Sequence, residues 1–417
     1  MMPQGQAFDF ASFLYMQTGV GGWEVQELSG GAANHTVRVR RLVDLRVNDR
    51  DGEGDDEESS LAGFYCRVLT EYSSVVLKQA PAFLAKSPHI PFSPYRQTVE
   101  AAALQLLHQS LDQHPFGLRD VLTKNPLIRI PRLLLRDTTH NILIQSDLGS
   151  HRNLYDVLTN PGTAVHLASS LGKTIGQFLA NLHDAFYITS ETTKESPDLV
   201  ATFKNEDAEH VMESVIRQAL SFMKDAEVPD FQTLGTLALE HWTRRHKTAF
   251  SQGDIWFGTL LVIGLDLQNP DVEHTIGICD WEFAGPNHPA ADLAQLGSYL
   301  HLMSLSPLTG GADILLAFST AFYGTYFSTT SAPCKSPEYQ RSLIIMHGWE
   351  LINAAGWHSR QHMWCGCMGT GVRCSHIKGM VHEGAALLRA VVSDDSMDIQ
   401  ALRMIPWTEF FQIFDSN

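Results

Sequence analysis

The sequence predicts an α+β chain in two lobes, an antiparallel-sheet first part followed by a mostly helical second part. Three observations carry this. Short segments in the first third alternate or run apolar as strands do, in Trp23-Glu-Val-Gln-Glu-Leu28, His35-Thr-Val-Arg-Val-Arg40 and Ser74-Val-Val-Leu-Lys-Gln79. Farther on, Leu167, Leu171, Ile175, Phe178, Leu179 and Leu182 recur at helical spacing, and the chain after Asp292 keeps a helical pattern. Two aspartates, Asp254 and Asp280, bracket a stretch that reads as strand, turn and strand.

In order along the chain, Phe8 to Gln17 reads as an opening helix. The first two strands enclose Ser29-Gly-Gly-Ala-Ala-Asn34, whose small residues let backbone amides approach a bound anion closely, although any tight hairpin favours glycine. From Asp49 to Glu58 seven acids and one arginine give a local net charge of −6, and the run 48–60 is expected to be a disordered acidic loop. The third strand is apolar except for Lys78, and a buried lysine must be paired or functional. The helix Arg96–Leu107 supplies Glu100, either as its clamp or as a residue facing water. Asn141–Gly149 reads as a strand ending in a hinge, with backbone near Gln145 to Asp147 placed to meet the edge of a base. Ala164–Phe186 is a core helix, which makes His183 structural. A polar stretch from Thr189 to Pro197 follows, and Trp407–Phe414 reads as a docked tail helix. Residues 1–146 form the expected first lobe and 147–417 the second.

Composition sets limits. The chain has 417 residues, 44% hydrophobic and 18% charged, with a formal net charge of −16. That balance argues against nucleic acid or an anionic membrane as the main partner, and weakly favours a cationic small molecule. No segment approaches the ~20 apolar residues of a membrane span, and the first residues lack a signal-peptide pattern. Six cysteines without a regular framework fit a reducing compartment, so the cytoplasm is the expected location.

The chemistry concentrates in Ser251-Gln-Gly-Asp-Ile-Trp-Phe-Gly-Thr259 and Ile278-Cys-Asp-Trp-Glu-Phe-Ala-Gly285. Phosphoryl transfer needs one carboxylate to receive the acceptor hydroxyl's proton and another to hold the Mg²⁺ that neutralises nucleotide phosphates. Asp254 and Asp280 have the spacing for those tasks. With Leu77-Lys78, Glu100, Gly253-Asp-Ile-Trp256, Asp280-Trp-Glu282 and Asp292-Leu-Ala294, the chain resembles the aminoglycoside phosphotransferase and choline kinase superfamily over nearly its whole length. Asp280-Trp-Glu282 and the following Gly285-Pro286 are most similar to the methylthioribose kinase and hydroxytryptamine kinase branch.

That resemblance implies a two-lobed protein-kinase-like fold and an ATP- and Mg²⁺-dependent transfer to a hydroxyl of a small molecule. It implies Asp254 as the base. Asp280, Glu282 and Thr259 become the metal set, and Lys78 becomes the α/β-phosphate contact that Glu100 positions. Ser29, Gly30, Gly31 and Asn34 cover the phosphates, while Gln145 and Asp147 face the base. Asp292 braces the catalytic loop. Trp256, Trp357, His358 and Arg360 are the candidates for acceptor recognition, with Trp256 read either as packing under the loop or as an aromatic wall. Two positions depart from the family pattern: Gln252 stands where a histidine is usual, and Thr259 where an asparagine is usual. They open the alternative of a catalytically degenerate kinase-like scaffold. Cys365, Cys367, Cys374 and His376 offer a zinc reading, but C-x-C…C-x-H is not a common zinc pattern, and a glycine-rich loop with reduced thiols is the expected reading.

Overall fold

The computed structural model describes residues 8–19, 21–28, 31–42, 61–110, 112–113, 117–185, 201–266, 274–331, 336–359, 363–366, 372 and 374–392. The acidic loop, the 189–197 stretch and the 407–414 tail lie outside these residues.

The first lobe is built on five strands in the order β1-β2-β3-β8-β7, all antiparallel. They are β1 (Trp23–Glu27), β2 (His35–Arg41), β3 (Ser74–Gln79), β7 (Leu133–Asp137) and β8 (Ile142–Ser146). Alternation sorts their side chains. Val37, Val39, Val75, Leu77, Ile142 and Ile144 enter a core of their own with Phe13, Leu14, Tyr65 and Leu69. On the opposite face Thr36, Arg38, Val76, Lys78 and Gln145 line a cleft.

The first core is closed by α1 (Phe10–Thr18) and α2 (Leu61–Glu71). The sequence reading gives this lobe an opening helix and the helix from Arg96 but not α2, which follows the acidic run directly. The correction has a simple cause: one face of a sheet needs an apolar cover, and Tyr65, Val68 and Leu69 at i, i+3 and i+4 supply it. A short hairpin of β4 (Phe83–Leu84) and β5 (Ser87–Pro91) then leads into α3 (Arg96–His108) and α4 (Arg119–Lys124).

A second, larger core begins in α3 and runs through the rest of the chain. β6 (Ile128–Arg129) pairs with β12 (Thr275–Ile278), which pairs with β11 (Leu260–Ile263), which in turn pairs with β9 (His151–Asn153). The expected strand-turn-strand between the two aspartates is thus the β11–β12 hairpin. β6 ties chain from before residue 146 to this second sheet. After α5 (Leu154–Thr159) come α6 (Val165–Ala185), α7 (Glu206–Asp225) and α8 (Phe231–Arg244), then β10 (Ala249–Ser251) paired with β13 (Gly285–Asn287). The helical remainder is α9 (Ala291–Leu305), α10 (Ala312–Thr329), α11 (Pro337–His358) and α12 (Ser375–Val392), as the pattern after Asp292 predicts. Among the described residues no helix is long and apolar enough to cross a membrane.

The closest helix contact is between α6 and α10. A Cβ at Gly172 would lie 2.3 Å from the Phe318 carbonyl oxygen, and one at Gly176 would lie 2.2 Å from that of Phe322. The two backbones meet because neither position carries a side chain. His183, at the end of α6, is thereby held beside Tyr326 of α10, with Nδ1 and the phenol oxygen 2.8 Å apart.

Candidate active site

Lys78 is 3% exposed and pairs with Glu100 at 2.6 Å and with Asp280. Burial pushes the ammonium toward neutrality, but the charges of Asp280, Glu100 and Glu282 outweigh it and keep Lys78 protonated. Gln97, next to this pair on α3, donates to the Lys78 carbonyl at 2.8 Å and fixes strand to helix. The clamp expected between Lys78 and Glu100 is present in the geometry.

The glycine-rich turn is described from Gly31 onward; Ser29 and Gly30 lie outside the described residues. It is held from both sides. The amides of Ala85 and Lys86 donate to the carbonyls of Ala33 and Ala32. From beneath, the fully buried Arg96 donates to the Ala33 carbonyl at 2.9 Å and to Asn34 Oδ1 at 3.0 Å. The same guanidinium stands 3.4 Å from Glu282, whose carboxylate also accepts from Asn34 Nδ2 at 2.9 Å. Burial pushes Glu282 up to about 7, against the pull of Lys78 and Arg96.

Asp280 sits in left-handed backbone, φ 58° and ψ 65°, at the end of β12 and just before the 3₁₀ turn Trp281–Phe283. A non-glycine residue held there is strained, and such strain clusters at functional sites. Asp280 and Glu282 line the cleft together. Thr259 does not join them. It is fully buried, and its hydroxyl accepts from the Trp256 amide and donates to the carbonyls of Asp254 and Trp256. Loop backbone engages that hydroxyl, and Thr259 is not among the residues that line the cleft.

The loop that carries Asp254 follows β10 and is fastened from below by Asp292, the second residue of α9. One oxygen of that carboxylate accepts from Ser251 Oγ at 2.6 Å and the Gly253 amide at 3.0 Å. The other accepts from the Gln252 amide and His183 Nε2, at 3.0 and 3.1 Å. Burial works to raise the Asp292 pKa, but these donors outweigh it and hold it below the ordinary carboxylate value. Gly253 has φ +86°, and a Cβ there would lie 2.2 Å from the Phe283 carbonyl, so only glycine lets the loop pass.

Gln252, at the position usual for histidine, is fully buried and uses its whole amide. Nε2 donates to the carbonyls of Cys279 and Asp280, at 3.1 and 2.7 Å, while Oε1 accepts from the Asp254 amide at 2.8 Å. Asp254 itself is half-buried, with Oδ1 accepting from Gln295 Nε2 at 2.8 Å. Burial pushes its carboxyl up to about 7; Gln295 pulls it down, and the charges of Asp280 and Asp292 add to the rise.

The cleft encloses about 1350 Å³ of space free of protein atoms, including its open mouth. Along its wall Gln145 is 4% exposed, and its Oε1 accepts no hydrogen bond among the described residues. The Asp147 carboxylate, by contrast, is committed to the hinge: it pairs with Arg38 at 2.8 Å and accepts from Ser74 Oγ at 2.6 Å. Any contact from Asp147 to a base is left to its backbone. An orphaned acceptor in the wall, a buried lysine and two carboxylates on the floor fit a nucleotide with its metal, since Mg²⁺ is usually held by one or two carboxylates plus the phosphates. Among the described residues no group of three or more His, Cys, Asp or Glu side chains could hold a metal.

Of the acceptor candidates, His358 and Trp256 come together: their rings are 5.5 Å apart, and both lie beside Tyr299, whose hydroxyl is 2.9 Å from His358 Nε2. Trp256 is half-buried in this stack. Trp357 is 36% exposed on the outer side of α11, and Arg360 lies outside the described residues. In the cysteine-rich loop, Cys365 and Cys374 have sulfurs 3.4 Å apart, with His376 Nδ1 at 3.9 Å from Cys374; Cys367 is outside the described residues.

Sequence reasoning passes over Arg96, Gln295 and Tyr299. Each has a periodic signal. Arg96 precedes Glu100 by four residues on one helix face, while Gln295 and Tyr299 follow Asp292 by three and seven on another.

No family model matches the chain. Two curated relatives do. A 4-hydroxytryptamine kinase of Psilocybe cyanescens is 25% identical over 228 residues, 53% of this chain and 58% of the relative. Another of Psilocybe cubensis is 23% identical over 239 residues, 56% of this chain and 62% of the relative. The matched stretches span about three-fifths of the length of these relatives. These relatives support the resemblance to small-molecule kinases of the phosphotransferase and choline kinase kind. Among solved structures, a Plasmodium vivax ethanolamine kinase superposes with TM-score 0.42 and 13% identity, over 89% of this chain and 82% of that one. A choline kinase from Cryptosporidium parvum gives 0.43 and 10%, over 93% of each. The fold itself is an antiparallel five-stranded first lobe followed by a mostly helical remainder.

Proposed function

We propose that this chain is an ATP- and Mg²⁺-dependent phosphotransferase acting on a hydroxyl of a small molecule. The observation that carries the reading is the junction at Lys78, where one buried ammonium joins Glu100 of the first lobe to Asp280 after the β11–β12 hairpin. Lys78 holds α/β-phosphate oxygens, and Asp280 with Glu282 would hold Mg²⁺, which neutralises charge on the phosphates when bound. Asp254 takes the acceptor's proton as the O–H bond breaks. A new O–P bond forms to the γ-phosphorus, and the bond from that phosphorus to the β,γ-bridging oxygen breaks to leave ADP. Most of the rate then comes from positioning and fixed charge.

The curated relatives support the reading by name, both being kinases of a hydroxylated small molecule. The same reading takes 1–146 as the nucleotide-binding lobe and 147–417 as the catalytic and acceptor-binding lobe, working in the cytoplasm. The inward-turned hydroxyl of Thr259 favours the alternative of a scaffold without turnover. Against it, Gln252 supplies both a donor and an acceptor to the loop.

The test is Mg²⁺-dependent ATP consumption by the purified chain against a panel of sugars, alcohols and hydroxylated amines, with Asp254→Ala alongside. Loss of a general base lowers turnover roughly 10²–10⁴-fold, while nucleotide binding should persist. Nucleotide binding with no turnover of any acceptor would favour the scaffold, and failure to bind Mg·ATP would overturn both readings.

A further inference from the structure

Behind the loop that carries Asp254 lies a second, much smaller cavity, of about 20 Å³. Gly253, Trp242 of α8, Asn287, Gln295 of α9, and Trp349 and Glu350 of α11 are among the residues that line it. Several of them keep polar groups in reserve. The indole nitrogens of Trp242 and Trp349 have no hydrogen-bond partner among the described residues, although the side chains are only 5% and 2% exposed. Glu350, 6% exposed, neither exchanges a hydrogen bond nor pairs with a cation among the described residues. Gln295 spends Nε2 on Asp254, and its Oε1 accepts from no described residue. Asn287 differs, because its oxygen is already taken by Arg245 and by the His288 N–H.

Left as they stand, these groups are costly, because a buried donor or acceptor without a partner forfeits the hydration it had in the unfolded chain. Donors and acceptors gathered around one small space are, however, what a single water satisfies. The size agrees: one water needs roughly 10–15 Å³ of such space, and a larger ligand would need far more. Burial, and then the nearby charge of Asp254, push Glu350 well above the ordinary carboxylate range and favour its protonated form. In that form the carboxyl both donates and accepts, and a water can answer either group.

We propose that one internal water occupies this cavity, bonded to the indole N–H groups, to Glu350 and to Gln295 Oε1, and that Glu350 thereby positions Gln295 against Asp254. A side-chain amide can turn end for end with little change of shape, and its hydrogen-bond partners decide which end faces where. A donor at Oε1 fixes the orientation in which Nε2 points at Asp254. Without that donor the amide can present its oxygen to the carboxylate, and Asp254 loses the bond from Gln295. Glu350 acts through the water and Gln295 rather than on the substrate. The water site stands on the structure alone, whereas the positioning role rests on the phosphotransferase reading and deepens it.

High-resolution crystal structures of wild type, Glu350→Gln and Glu350→Leu test the site. Wild type and Glu350→Gln should each show one water within hydrogen-bond reach of the side chain at 350 and of Gln295 Oε1. Glu350→Leu should show none. The pH profile of kcat/KM tests the role. Gln295 favours the ionised form of Asp254. Glu350→Leu should therefore move the acidic limb upward by about one pH unit, with the KM for ATP unchanged. Glu350→Gln should restore the limb. A dry cavity in wild type would overturn the inference, and that crystal needs no variant to fold. A limb that moves downward in Glu350→Leu would make Glu350 a charge acting directly on Asp254, as Asp280 and Asp292 do. An unmoved limb would reduce it to packing, and either result removes the positioning role. A wild type that turns over no acceptor would defeat the phosphotransferase reading and the positioning role with it, while the crystal still decides the water.

Discussion

Gln252 accepts the backbone N–H of Asp254 at 2.8 Å while its own nitrogen holds the carbonyls of Cys279 and Asp280. One amide thus joins the loop that carries Asp254 to the strand end that carries Asp280. A histidine, with one donor and one acceptor in its neutral form, offers the same kinds of group. The departure from the family pattern is chemically conservative.

Replacing Gln252 by alanine would leave a buried N–H and two carbonyls without partners, at a cost of about 1–3 kcal/mol for each group left unsatisfied. The expected outcome is a lower Tm and a kcat reduced by tenfold or more, with the KM for ATP changed far less. Gln252→His should recover most of the kcat. Steady-state kinetics of the two variants decides the matter, and equal losses in both would refute the equivalence.

Asp254 must be ionised to accept a proton, and burial holds its carboxyl at about 7. Activity should therefore rise with pH through about 7 and level off above it. Gln295 donates to the carboxylate and so favours the ionised form. Gln295→Leu should move the acidic limb of the kcat/KM profile to higher pH, and an unmoved limb would show that Gln295 does not tune the base.

The same raised value has a thermodynamic face. With a folded-state pKa near 7 and an unfolded value near 3.9, the unfolded chain gives up its proton first as pH rises. The favourable contribution of the protonated acid is complete below about 4 and is lost on the way to about 7. Asp254→Asn removes that loss, so its Tm relative to wild type should be higher at pH ~7.5 than at pH ~5. Thermal melts without nucleotide read this directly.

Arg96 is the pin between the glycine-rich turn and Glu282. Arg96→Met leaves Glu282 with one donor and should cost on the order of 3–5 kcal/mol. Arg96→Lys keeps the charge but not the planar fork. It should fold and bind Mg·ATP about tenfold more weakly, a change of ~1.4 kcal/mol by calorimetry. Unchanged affinity would reduce Arg96 to a packing role.

Gly172→Ala or Gly176→Ala drives a methyl group into backbone of α10. Overpacking of this kind costs roughly 1–3 kcal/mol, and here the obstacle is a carbonyl rather than a flexible side chain. Tm should fall with KM values intact. A variant as stable as wild type would mean the helices separate easily.

What could be read in advance followed periodicity and spacing. The strands of the first lobe, the β11–β12 hairpin and the clamp from Glu100 to Lys78 are each local patterns that tertiary contacts reinforce. α2 carries a weaker signal, because its apolar positions Tyr65, Val68 and Leu69 follow closely on a charged run. Arg96 opens its helix, and nothing in the sequence marks it as fully buried. Thr259 shows something the sequence does not carry, the hydrogen bonds its hydroxyl makes to loop backbone.

The four bonds accepted by Asp292 bear on motion as well as geometry. Through His183 and Tyr326 the carboxylate reaches α6 and α10, the most closely apposed helices of the second lobe. A loop held this way cannot open on its own, because releasing the Gln252 and Gly253 amides strands a buried acid. Their hydrogen exchange should be as slow as that of the helical interior, and should proceed only when the whole lobe opens. Asp254 is carried by a segment that is irregular in form and yet shares the rigidity of the bundle beneath it.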